Sequence, residues 1–276
     1  MRQKVEARIL RGLTWMGSIF TMAVLGCVVG YILIKGIPHL SPELFSWKYN
    51  SENVSMLPAL INTLLMTAVA LVLSVPLGIG AAIWLTEYAK RGSRLVKLVR
   101  ITAETLSGIP SIIYGLFGAL CFVEAMKLGL SLISGALTLA IMILPLIMRT
   151  TEEALLAVPD SFREGSFGLG AGRLRTTFNV VLPSAIPGIL AGVILAVGRI
   201  VGETAALIYT AGTIPEVAKN LSSSVRTLSV HMYLISTEGL YVSQSYATAV
   251  VLLVIVVGIN FLSEWIARKV GSHGRV

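Results

Sequence analysis

The chain has 276 residues, of which 55% are hydrophobic and only 13% charged, with a formal net charge of +8. A soluble domain averages roughly 25% charged residues, and mean hydropathy here is +0.83, so the surface cannot be mostly wet. Composition excludes an ordinary soluble enzyme. The positive charge alone would allow a nucleic-acid partner, but the chain has no RNP-like, zinc-finger or basic-helix pattern.

Residues 1–12 form a short basic segment that leads into an apolar run over about 13–34. That run exceeds a signal h-region of about 7–15 residues and reaches the roughly 20 needed to cross a bilayer. It is expected to remain as a first helix. Gly36 to Met56 is polar and rich in turn residues, hence a loop. A second span is predicted over about 57–85, followed by the cluster Lys90, Arg91, Arg94, Lys97 and Arg100. Further spans are predicted over about 103–126, 132–148, 183–211 and 247–266, with a polar loop at about 149–182 and a tail at 269–276. The expected fold is an all-α integral membrane protein of about six transmembrane helices, occupying residues 13–268.

Six spans place both termini on one side. If that side is cytoplasmic, 16 of the 22 Lys and Arg fall in inner segments. The positive-inside rule then orients the chain, with cytoplasmic N- and C-termini, and accounts for its charge without nucleic acid. Cys27 and Cys121 are too few for a disulfide framework. His39, His231 and His273 are scattered and form no metal-ligand pattern.

The polar loop carries the most specific signal. Glu164-Gly165-Ser166 is followed by three residues, Gly170, nine residues, Val180, Val181, and Leu182-Pro183. This resembles the cytoplasmic loop of ABC importer permeases, written EAA, three residues, G, nine residues, I, any residue, LP. Gly165 and Ser166 replace the alanines with small residues, and Val180 replaces isoleucine with another β-branched residue. The resemblance implies a type I importer permease fold. It also implies that the loop forms two short helices, the first docking on an ATPase subunit. Pro159 and Asp160 can start that helix, with Asp160 as N-cap, and Gly168, Gly170 and Gly172 permit the turn after it. Pro183 suits the entry to the next span.

A rival use of these glycines is nucleotide binding. Gly168-Leu-Gly-Ala-Gly172 lacks the GK[ST] ending of a P-loop. No cofactor or metal is expected in this chain, and ATP with Mg²⁺ belongs to the partner ATPase that the resemblance implies.

Three further stretches resemble the phosphate-specific branch, PstA-type more than PstC-type. They are Ser107-Gly-Ile-Pro-Ser-Ile-Ile-Tyr-Gly115, Thr151-Glu-Glu-Ala-Leu155 and Gly198-Arg-Ile-Val-Gly-Glu-Thr204. The resemblance covers most of residues 55 to 268. It implies transport of inorganic phosphate across a bacterial or archaeal inner membrane. The implied partners are a homologous PstC-type permease, two PstB-type ATPase subunits and a PstS-type extracytoplasmic binding protein, all around membrane lipid. A permease for sulfate or molybdate would share the loop and differ in its charged path.

Arg199 lies about midway along the fifth predicted span, and helical spacing would put Glu203 one turn later on the same face. Ionisable groups in a membrane are costly and usually face a protein interior or a watery path, and an Arg fork suits phosphate. The pair is expected in the translocation path. A purely structural ion pair is the other reading, weakened by the less favourable Arg-before-Glu order. Ser107, Ser111, Tyr114 and Gly118 would line one face of the third span. Their hydroxyls could donate to an anion or join helices. No nucleophile or metal ligand accompanies these groups, which argues against a membrane-embedded enzyme.

Overall fold

A computed structural model describes residues 2–90 and 92–272. His273 and Arg275, the end of the predicted tail, lie outside them. Helix α1 (Arg2–Gly36) is the longest, and a loop with two 3₁₀ turns leads from it to α2 (Leu57–Ile83). α2 continues into a π-helical turn at Trp84–Tyr88. α3 (Arg94–Ser107) and α4 (Ser111–Gly118) follow, and α4 ends in a π-helical stretch at Ala119–Ala125. α5 (Leu132–Leu156) precedes two short helices, α6 (Asp160–Gly168) and α7 (Arg173–Thr176). The last elements are α8 (Leu182–Val201), α9 (Ala205–Thr210), α10 (Leu228–Thr237) and α11 (Val242–Ser272).

Among the described residues, five helical stretches are long and apolar enough to cross a membrane, and α3 with α4 makes a sixth if the bent pair counts as one span. α5 is the central one. Its apolar window is 67% buried within the chain, against 0% for α1. α2 and α8 flank α5, around a core of Met66, Leu139, Met142, Ile143 and Ile147. A second cluster under the loops includes Leu85, Leu155, Val158 and Val181. The lipid-like exposure of α1, with Trp15, Phe20 and Met22 more than 60% exposed, suits a helix whose neighbours are lipid or another subunit.

Small residues let the central helices approach closely. A Cβ on Gly78 would come within 2.7 Å of the Ile147 side chain, and one on Gly188 within 2.7 Å of Ala154. At Gly192 it would run into the Thr150 side chain. This is the small-residue packing that substitutes, in lipid, for the missing hydrophobic drive between helices. The N-terminus of α5 is closed from outside its own helix. The Ser131, Leu132 and Ile133 amides donate to the Thr210, Ser223 and Leu221 carbonyls, which satisfies donors that a helix start leaves free.

Two helices break where the sequence suggested continuity. α3 and α4 meet at 101° rather than forming one span over 103–126. Pro110 has no N–H and disfavours helical φ/ψ at Ile109, and Gly108 adds a weak helix former beside it. The stretch predicted as one span over 183–211 is likewise interrupted, between Val201 and Ala205, at Gly202-Glu203-Thr204.

Candidate functional site

The two breaks meet. α4 packs on α9 through glycines: a Cβ on Gly115 would fall within 2.8 Å of the Ala206 Cα, and one on Gly118 would strike Thr138 and Thr210. Tyr114 is buried and reaches back across the first break, its hydroxyl donating to the Leu106 carbonyl at 2.8 Å. That carbonyl belongs to the last turn of α3, where intrahelical donors run out. Ser107 donates to the Ala103 carbonyl at 2.9 Å and is exposed, while Ser111 is half-buried at the start of α4.

At the second break the Glu203 carboxylate accepts from the Ala206 amide at 3.1 Å, capping α9. Its backbone carbonyl accepts from the Ser229 hydroxyl, which ties the break to α10. Arg199 stands on the last turn of α8, partly buried, within Coulombic reach of the Tyr114 hydroxyl. Among the described residues it forms no ion pair. The expected Arg199–Glu203 pairing on one helical face is therefore absent, because the helix ends between them and the carboxylate turns to α9. The expected hydroxyl stripe is divided too. Ser107 lies on α3, whereas Ser111, Tyr114 and Gly118 lie on α4, with Tyr114 and Gly118 facing the protein interior.

The arrangement is an unpaired guanidinium at the junction of two broken helices. A cavity of about 560 Å³ opens next to the two breaks, lined in part by Ile112, Thr204, Tyr209, Tyr233 and Tyr246. Broken helices with exposed backbone are tolerated at membrane depth where they line a cavity or a path.

The loop that links α5 to α8 has a different construction. Pro159 occupies the N-cap of α6, and Asp160 is the first helical residue instead of the cap. The helix closes with Gly170 at φ +82°. The Gly170 amide donates to the Phe167 carbonyl at 2.9 Å and the Ala171 amide to Ser166 at 3.1 Å. That double bond is a Schellman closure, and only the residue in the left-handed region needs to be glycine. Ser166 and Thr176 share a hydroxyl hydrogen bond of 2.8 Å, which folds α7 back on α6. Glu164 is exposed, and Gly165 has open space around it. Leu182 and Pro183 begin α8, after a π-helical turn at Thr177–Val181 that carries the helix on from α7. Phe162, Phe167, Leu169 and Leu174 are exposed, Leu169 by 91%. Exposed apolar side chains clustered in a polar loop mark a surface for another protein.

The sequence reading missed two ionic features. Arg163 pairs with Glu87, and Arg100 with Glu152, joining the loop and α3 to α2 and α5. The signal was a carboxylate near the end of an apolar helix, Glu87, close to a basic cluster. In the loop between α9 and α10, Arg226 is 5% exposed, with its Cζ 4.4 Å above the Tyr49 ring. Burial lowers its pKa, opposed by the aromatic partner. His231 packs edge-on to the same ring. Burial first, and then the neighbouring Arg226 charge, hold it at about 3, so it is neutral.

The comparisons with known proteins agree with this architecture. Residues 74–272 match the model of the family described as binding-protein-dependent transport system inner membrane component. The chain belongs to that family. It is a permease subunit of an ABC transporter, a multi-pass membrane protein and not itself an enzyme. A probable ABC transporter permease of Bacillus subtilis (strain 168) is 32% identical over 98% of both chains. The phosphate transport system permease protein PstA of Haemophilus influenzae is 33% identical over 84% of this chain and 82% of that protein. Among solved structures, a bacterial alginate ABC transporter aligns with a TM-score of 0.66 at 14% identity, over 97% of this permease and 94% of that chain. The inward-facing MetNI methionine ABC transporter aligns with a TM-score of 0.63 at 22% identity, over 77% and 93%. Both likenesses speak to fold, that of type I importer permeases.

Proposed function

We propose that this permease is the PstA-type subunit of an ATP-driven importer of inorganic phosphate. The observation that carries the reading is the unpaired Arg199 on the last turn of α8, at the second helix break and within Coulombic reach of the Tyr114 hydroxyl. A guanidinium without a protein carboxylate can engage an oxyanion bidentately, and a transported ion must be held weakly enough to leave. Relatives named as phosphate permeases, at 31–37% identity, support the choice of anion. Arg199 and Tyr114 would lie in the path, with Ser107 and Ser111 at its break and Glu203 fixing the backbone there.

The complex would pair this chain with a PstC-type permease, two ATPase subunits holding ATP and Mg²⁺, and an extracytoplasmic phosphate-binding protein. The α6–α7 loop, from Glu164 through Gly165, Ser166 and Gly170 to Leu182 and Pro183, would dock on the ATPase. That loop and both termini would face the cytoplasm, a reading supported by the distribution of the basic residues.

The test is uptake of radiolabelled phosphate by the assembled complex, with sulfate and molybdate as competitors. Arg199→Gln keeps hydrogen-bonding capacity and loses the charge. It should reduce uptake by about 100-fold while the complex still assembles, the loss expected for a charge-assisted contact of roughly 3 kcal/mol. Robust phosphate uptake by that variant would overturn the role of Arg199. Competition by sulfate or molybdate at lower concentration than phosphate would move the assignment to another oxyanion.

A further inference from the structure

Helix α6 has no buried residue, although it is the element on which the docking reading depends. A cavity of about 350 Å³ lies between it and the inner ends of α2 and α3, lined by Leu85, Thr86, Val96, Arg100, Asp160 and Arg163. Apolar packing therefore cannot carry force across this gap. Among the described residues, the Arg163 side chain hydrogen-bonds across it. The Arg163 Nη2 donates to Glu87 Oε1 at 2.8 Å, and Nε lies 3.3 and 3.4 Å from the two Glu87 oxygens. The same guanidinium donates from Nη1 to the Val158 carbonyl at 2.8 Å and from Nη2 to the Leu155 carbonyl at 2.9 Å. Asp160 completes the set at 3.2 Å.

The side chains of Arg163 and Glu87 are only 15% and 9% exposed, so water screens this pair less than a surface one. Three elements thus converge on one planar fork: α6, the π-helical end of α2, and the last turn of α5. The other polar tie of α6, from Ser166 to Thr176, stays within the loop. α2 and α5 form the packed centre of the bundle. Among the described residues Arg163 makes the hydrogen-bonded link from α6 to the end of α2, while α6 otherwise packs on α7 and the π-helical turn at Thr177–Val181.

We propose that Arg163 is the positioning residue that transmits movement of the loop helix α6 to the spanning helices, with Glu87 as its anchor on α2. The proposal rests on the reading of the α6 loop as the ATPase-docking surface. Arg is needed in place of Lys, because only a planar fork satisfies a carboxylate and two separate carbonyls together.

The experiment measures phosphate uptake and ATP hydrolysis on the same purified, reconstituted complex for Arg163→Lys and Glu87→Gln. Uptake per ATP hydrolysed should fall by about tenfold in both, the scale of a coupling element worth 1–2 kcal/mol, while hydrolysis continues. A third variant, Glu87→Cys with Arg163→Cys in a background lacking Cys27 and Cys121, should be uncoupled when reduced. It should regain coupling when a bifunctional thiol reagent spans the two positions. A structural role would not produce that rescue. Normal uptake per ATP in both single variants overturns the proposal. So does loss of assembly in both with no recovery of coupling on crosslinking, which would assign the pair to holding the fold. Absence of phosphate uptake by the unmodified complex would instead count against the phosphate reading alone.

Discussion

The α2–α5–α8 centre and the α6–α7 loop are adjacent in the chain and opposite in construction. The centre is apolar, tightly packed and held by glycines that allow no added atom, as at Gly78, Gly188 and Gly192. The loop buries no α6 residue, leaves open space around Gly165, Gly168, Gly170 and Gly172, and is fastened by ion pairs and hydroxyls. Dense packing has few alternative arrangements, whereas polar ties across a gap can lengthen or re-form. The centre is built as a frame and the loop as a lever. The cost of a substitution should follow that division.

The largest effect is expected at the frame. Gly192→Leu forces a branched side chain into Thr150, on a helix pair that cannot separate without opening the core. It should abolish the assembled complex, read as yield after purification. Gly165→Leu adds the same atoms where the loop has room, and the complex should still form. Equal yields from the two would erase the distinction between frame and lever.

A smaller but more selective effect is expected from Gly170. Its φ of +82° is inaccessible to proline, so Gly170→Pro breaks the Schellman closure that ends α6. The complex should assemble and hydrolyse ATP while uptake falls severely. Gly170→Ala retains the N–H and should cost only about 1–2 kcal/mol locally, with a correspondingly milder defect. Normal uptake per ATP in the proline variant would detach the loop from coupling.

The smallest effect concerns the far side of the frame, where His231 sits beside Arg226 and Tyr49. Its folded pKa of about 3 lies below its ordinary value of 6.5. As pH falls below about 6.5 the unfolded chain takes up a proton that the folded chain refuses, so this site destabilises the fold progressively down to about pH 3. Neither ring nitrogen has a well-formed hydrogen-bond partner, so His231→Phe should be tolerated and keep the edge-on contact with Tyr49. Thermal denaturation of the complex between pH 7 and pH 5 should show a shallower loss of stability in the variant. Identical slopes would mean that His231 does not remain neutral.

The sequence by itself determined the class of this protein. Runs of some twenty apolar residues have no stable place except a bilayer or a core, so their number and the spread of Lys and Arg were legible without coordinates. The two short helices of the α5–α8 loop were legible too, because their motif is local and Gly170 answers a backbone demand made within a few residues. Tertiary structure decided the rest. Periodicity put Arg199 and Glu203 on one face because it assumes a helix that continues, and here the helix stops at Val201. Whether Gly202 ends a helix depends on what receives the freed groups, and those partners, Ala206 and Ser229, come from α9 and α10. The partnership of Arg163 with Glu87 spans 76 residues of chain. No pattern along the sequence encodes that distance. It follows from the way α2 and α5 pack, which brings the end of one beside the last turn of the other.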